Sequence, residues 1–99
     1  MAMATFVLLL EYVRSMEEID ALIPAHIAFL EKHYASGVFL LSGRQEPRTG
    51  GVILARASSR DAIEAIAMDD PFAIAGAARY RVIEFLPTRA AQSLSFLTA

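Results

Sequence analysis

The stretch Val38-Phe39-Leu40-Leu41-Ser42-Gly43-Arg44-Gln45-Glu46-Pro47-Arg48-Thr49-Gly50-Gly51-Val52-Ile53-Leu54-Ala55-Arg56-Ala57 decides the fold of this chain. Val38 to Arg44 and Val52 to Ala57 are apolar runs of strand length. Glu46 to Gly51 between them collects proline, threonine and two glycines, the residues that interrupt regular structure. The segment therefore predicts a β-hairpin, and its meaning depends on what flanks it.

On the N-terminal side a long helix is predicted. Ser15 with Glu18 makes a capping-box start, and Ile19, Leu22, Ile23, His26, Phe29, Leu30, His33 and Tyr34 recur at helical spacing on one stripe. The pattern runs to about Ala35, and Gly37 is its stop. Pro24 lies inside it and removes a backbone donor, so a kink or a second helix start is expected there, on the outer face. Ahead of the helix, Thr5 to Val13 reads as a strand. On the C-terminal side, Ser58 or Ser59 caps a short helix, Arg60 to Met68, packed through Ala62, Ile63, Ile66 and Ala67. Asp69-Asp70-Pro71-Phe72 follows, with Pro71 placed to open one more helical turn. Arg79 to Leu86 is a last strand, and Thr88 to Ala99 is a short helix or an arm reaching a partner.

The order β-α-β-β-α-β predicts an α+β fold, the ferredoxin-like split arrangement with an antiparallel four-stranded sheet, its first and third strands central and both helices on one face. Residues 1–99 are expected to form a single domain with a core at about 5–87 and a tail at 88–99. In the first strand Phe6, Leu8, Leu10 and Tyr12 face one way and Val7, Leu9, Glu11 and Val13 the other, so both faces are largely apolar. The uncovered face needs a partner, and sheet-on-sheet packing of two copies supplies one. Composition agrees. The chain is 56% hydrophobic, with mean hydropathy +0.44, above the usual share of about 45–50%. A homodimer through the open sheet face is expected.

Several function classes are disfavoured. A net charge of -2 carries no basic footprint for nucleic acid. The apolar run Met3 to Leu10 is too short to cross a membrane and lacks the flanks of a signal peptide. Without cysteine there is no disulfide, thiolate or cysteine-based zinc chemistry, and a cytoplasmic location is the default. Arg48-Thr49-Gly50-Gly51 lacks the lysine and spacing of a phosphate loop, and no serine sits in a nucleophile elbow. His26 and His33, about two turns apart, are not a recognised chelating pair, so neither a metal nor a cofactor is expected.

Chemistry is expected at His26 and Asp70. An imidazole moves a proton near neutral pH, and a carboxylate beside it orients the ring and stabilises the imidazolium. Each residue also has a structural reading: a histidine on an apolar stripe is commonly a hydrogen-bonded core residue, and an Asp before proline a helix cap. Asp69 and Asp70 compete for that cap. Pro71 and Phe72 are candidates for the wall of a ligand pocket, or Phe72 is plain core. Ser42 and Gly43 bring a hydroxyl and open backbone toward a ligand, or simply end a strand. His33 packs at the helix end.

Pro24-Ala25-His26-Ile27-Ala28-Phe29-Leu30, Gly37-Val38-Phe39-Leu40-Leu41-Ser42-Gly43 and Asp69-Asp70-Pro71-Phe72 with Gly76 resemble, in order and spacing, the successive motifs of the YciI-like (YCII-related) family. The resemblance covers roughly residues 5 to 87. It implies a dimeric α+β barrel of ferredoxin-like subunits with a His and Asp pair as the active site, the positions of His26 and Asp70. A dehydrochlorinase acting on a hydroquinone-type ring is among the activities it implies. Members often carry an arginine before the Pro-x-His segment, where this chain has Ile23. Two functions are consistent with these residues. One is a small cofactor-independent lyase or isomerase acting on an aromatic or lactone-like molecule, with His26 and Asp70 catalytic and Ser42, Gly43, Pro71 and Phe72 near the substrate. The other is a non-catalytic small-molecule-binding or accessory dimeric domain.

Overall fold

The computed structural model describes residues 3–98; Met1, Ala2 and Ala99, the ends of the expected 1–99 unit, lie outside the described residues. The elements are β1 (Ala4–Tyr12), α1 (Met16–Ala35), β2 (Phe39–Arg44), β3 (Gly50–Ala57), α2 (Arg60–Met68), a single turn α3 (Pro71–Ile74) and β4 (Ala78–Phe85), followed by a 3-10 helix (Gln92–Leu97). The sheet is four-stranded with order β2-β3-β1-β4, and every pairing is antiparallel. This is the ferredoxin-like α+β arrangement, with the first and third strands central.

The helix starts follow from their caps. The Ser15 hydroxyl accepts from the Glu18 amide at 3.2 Å and the Ser59 hydroxyl from the Ala62 amide at 3.1 Å, each satisfying a first-turn donor that has no partner inside its helix. Gly37 closes α1 with φ +84°, a conformation that residues with a Cβ avoid. Neither the kink nor the second start expected at Pro24 interrupts α1, which runs unbroken from Met16 to Ala35. Pro24 is exposed, so the lost hydrogen bond falls on the solvent side. The buried stripe of Ile19, Phe29 and His33 holds the helix to the sheet on either side of it.

The core lies between the helices and one face of the sheet. Phe6, Leu8 and Leu10 of β1, Phe39 of β2 and Ile53 of β3 pack with Ile19, Phe29, Ile63 and Phe72 in one cluster. The opposite face is apolar too: Leu41, Val52 and Phe85 are exposed there, beside the partly buried Val7, Leu9, Leu54 and Ile83. The tail folds back over one end of that face, where the Arg56 guanidinium lies 5.8 Å from the centre of the Phe96 ring.

The hairpin turn is shorter than expected, because Gly50 and Gly51 belong to β3 and pair with Glu11 and Leu10 of β1. A Cβ on Gly50 would sit 1.7 Å from the Leu10 carbonyl oxygen. The glycine that reads as a turn residue is therefore where two backbones approach too closely for a side chain.

Candidate functional site

His26 and Asp70 are brought together by α1 and the start of α3. His26 stands on the sheet-facing stripe of α1, and its Nδ1 lies 2.9 Å from Asp70 Oδ1. The side chain of His26 is 13% exposed and that of Asp70 is wholly buried. Asp70 is also the cap of α3, its Oδ1 accepting from the Phe72 amide at 2.9 Å. The two readings open to an Asp in this motif, cap and histidine partner, are thus both true of Asp70. Asp69 is exposed and takes the C-terminal position of α2 instead.

A third donor was not legible as a site residue in the sequence. The Tyr80 hydroxyl donates to Asp70 Oδ2 at 2.5 Å. Burial, then the charge and hydrogen bond of Asp70, push the Tyr80 phenol far above its ordinary range, so it stays a donor. Asp70 is thus bonded to an imidazole nitrogen while accepting from an amide and a phenol, and a carboxylate in that position offers acceptors alone. An acceptor-only partner at Nδ1 assigns the ring proton there and leaves Nε2 with the lone pair when the ring is neutral. Among the described residues Nε2 has no hydrogen-bond partner.

The imidazole is held as firmly by packing. Its ring stacks on Phe72 with centroids 4.3 Å apart and planes 21° from parallel, and Tyr12 meets the Phe72 ring edge-on at 5.7 Å. Phe72 is 1% exposed. Beside this stack lies a cavity of about 200 Å³ between α1 and the β2-β3 hairpin. Leu10, Ile23, Ile27 and Ile53 give it apolar walls, and Tyr12, His26, Ser42 and Arg44 are its polar lining residues. Ser42 is hydrogen-bonded to the Tyr34 hydroxyl, which ties β2 to α1. Gly43 also lines the cavity, and a Cβ there would meet nothing within 4 Å.

Pro71 and Phe72, expected on the pocket wall, are not among its lining residues. Phe72 is in the core, backing the imidazole, and Pro71 opens α3 directly after the cap. Their service to the site is to hold His26 and Asp70. His33, as expected, is at the helix end in an aromatic cluster with Phe29 and Phe39. A larger hollow of about 710 Å³ lies between β4, the start of β1 and the tail, but among the described residues its charged lining is Arg56 and Glu84, with no histidine. Among the described residues no three His, Cys, Asp or Glu are gathered as a metal site.

Fold and site together define a small ferredoxin-like α+β protein with a buried aspartate holding a cavity-lining histidine. The model of the YCII-related domain matches residues 4–86, and the chain belongs to that family. Comparison with curated proteins finds no match. Among solved structures, the chain is similar to the 5-chloro-2-hydroxyhydroquinone dehydrochlorinase of Burkholderia phenoliruptrix AC1100, in complex with 2,5-dihydroxybenzoquinone. The TM-score is 0.71 at 21% identity, over 82% of this chain and 92% of that one. Among the described residues no helix is long and apolar enough to cross a membrane.

Proposed function

We propose that this protein is a cofactor-independent acid-base enzyme, a lyase or isomerase acting on a small aromatic or lactone-like molecule. His26 exchanges the proton through Nε2, and Asp70 fixes the tautomer and stabilises the imidazolium that forms. The observation that carries this reading is the 2.9 Å bond between a cavity-lining histidine and a wholly buried aspartate. Elimination of a leaving group needs a base beside an apolar ring pocket, and the structural neighbour is by name a dehydrochlorinase. Ser42 and Gly43 would face the substrate. We further infer a cytoplasmic homodimer joined through the open sheet face, on which Leu41, Val52 and Phe85 are exposed.

The test is a thermal-shift comparison of the parent and His26→Ala across a panel of small aromatic and lactone metabolites, followed by turnover assays on the hits. A ligand at a hundred times its Kd adds about 2.7 kcal/mol to the stability of the folded state. Hits that are consumed by the parent and not by His26→Ala support the enzyme. Hits bound equally by both proteins and consumed by neither would replace it with a non-catalytic binding domain.

A further inference from the structure

We propose that Arg44 receives the anionic end of the ligand, so that the molecule taken by this cavity is a small, largely apolar carboxylate or phenolate rather than a neutral one. The proposal rests on the reading of the His26 cavity as the ligand site. Arg44 is the one cation among the described lining residues, and no carboxylate lines the cavity with it. Asp70 is buried and already accepts from three donors. The other arginine of the hairpin, Arg48, pairs with Asp20 at 2.7 Å and is not among the described lining residues.

The Arg44 guanidinium is engaged through one nitrogen. Its Nε donates to Glu46 Oε1 at 2.9 Å, both side chains being largely exposed. The two terminal nitrogens have no partner among the described residues, and a pair of parallel N–H donors fits a carboxylate. Arg44 also lies opposite Gly51 in the β2-β3 register, and Gly51, without a side chain, lines the same cavity. The walls decide the rest of the ligand. Leu10, Ile23, Ile27 and Ile53 offer no hydrogen bonds from their side chains, so a multiply charged, strongly hydrated molecule would lose water there without replacement. A volume of about 200 Å³, under the roughly 300–1,000 Å³ of drug-sized sites, suits a single ring or a short branched chain. Such a ligand would set its charge at Arg44 and its apolar body beside His26.

Benzoate and benzamide test this directly, since they share shape and differ in charge. Each is titrated to millimolar concentration into the folded full chain and followed by amide NMR. In the parent, benzoate is expected to shift Gly43, Arg44 and Gly51 and to bind about fivefold more tightly than benzamide, the size of a solvent-screened charge-assisted contact. In Arg44→Gln the preference falls to about one, and Arg44→Lys keeps part of it. Equal binding of the two probes by the parent, an undiminished preference in Arg44→Gln, or no shift at those amides overturns the assignment. The spectrum of each variant reports whether it is folded. His26→Ala separates this proposal from the acid-base one. A preference for benzoate that survives Arg44→Gln and disappears in His26→Ala sinks Arg44 and leaves the histidine reading intact. A preference lost only with Arg44, in a protein whose ligands are never turned over, does the reverse.

Discussion

Replacing Asp70 by alanine should be among the most damaging single changes at the site, and its cost can be worked from three hydrogen bonds. Asp70 is 0% exposed, so each donor it leaves behind must find water or go without. Loss of the cap on the Phe72 amide costs about 1 kcal/mol. The Tyr80 hydroxyl loses a charged acceptor inside the fold, worth about 1.5–2 kcal/mol. The imidazole stands nearer solvent and adds less than about 1 kcal/mol. Together these predict about 2.5–4 kcal/mol, or a Tm lowered by roughly 10–30 °C for a chain of this length. Asp70→Asn keeps one oxygen for the Phe72 and His26 donors and turns an amide toward Tyr80, whose hydroxyl can then accept, so its cost should be about 1–2 kcal/mol. Urea unfolding followed by far-ultraviolet circular dichroism is the assay, because the chain has no tryptophan. Protein concentration is held fixed in case subunits associate. Asp70→Ala within about 1 kcal/mol of the parent, or Asp70→Asn as harmful as Asp70→Ala, would refute the idea that this carboxylate anchors the site.

His33 should make the fold sensitive to mild acid. It is 8% exposed and its buried Nε2 has no partner among the described residues; burial and then Lys32 lower its pKa below the ordinary 6.5, against a smaller opposing effect of Asp69. The unfolded chain then takes up the proton first, so stability is complete above pH 6.5 and falls as pH drops below it toward the folded value. His33→Phe should flatten the dependence of the urea midpoint on pH between neutrality and mild acid, and an unchanged slope would show that another group carries it. Gly50→Ala should prevent folding or cost more than about 3 kcal/mol, given its clash with the Leu10 carbonyl, whereas Gly43→Ala should stay within about 0.5 kcal/mol in the same unfolding assay. Leu41→Glu with Val52→Glu on the open face should shift the chain to a smaller species in analytical ultracentrifugation, and an unchanged sedimentation coefficient would remove the sheet-face dimer.

What was legible in the sequence was whatever local periodicity and caps encode. The alternating β1 residues, the α1 stripe and the serines at Ser15 and Ser59 all act within a few positions of themselves, and the fold class followed from them. At Pro24 the local penalty alone predicts a break. Its exposed position puts the missing donor in water, and tertiary packing on either side keeps the helix whole. At Gly50 the turn propensity is real, but a close approach between strands is a property of pairing register, which no local pattern records.

Tyr80 shows the same limit at the site itself. In β4 it is one more residue on the alternation, and only its pairing opposite Leu10 sets the hydroxyl over Asp70. Once there, it changes what the Asp-Pro motif means. A cap alone is a structural device, and a lone Asp–His contact can be incidental. When one wholly buried carboxylate caps α3, holds the imidazole and accepts from a phenol, its oxygens lose the freedom to rotate or to recruit water. The geometry of His26 is then set by the backbone of α3 and the register of β4, rather than by its own rotamer preference. In its neutral form a histidine so held carries the proton on Nδ1 and the lone pair on Nε2, the tautomer that the proposed base would use.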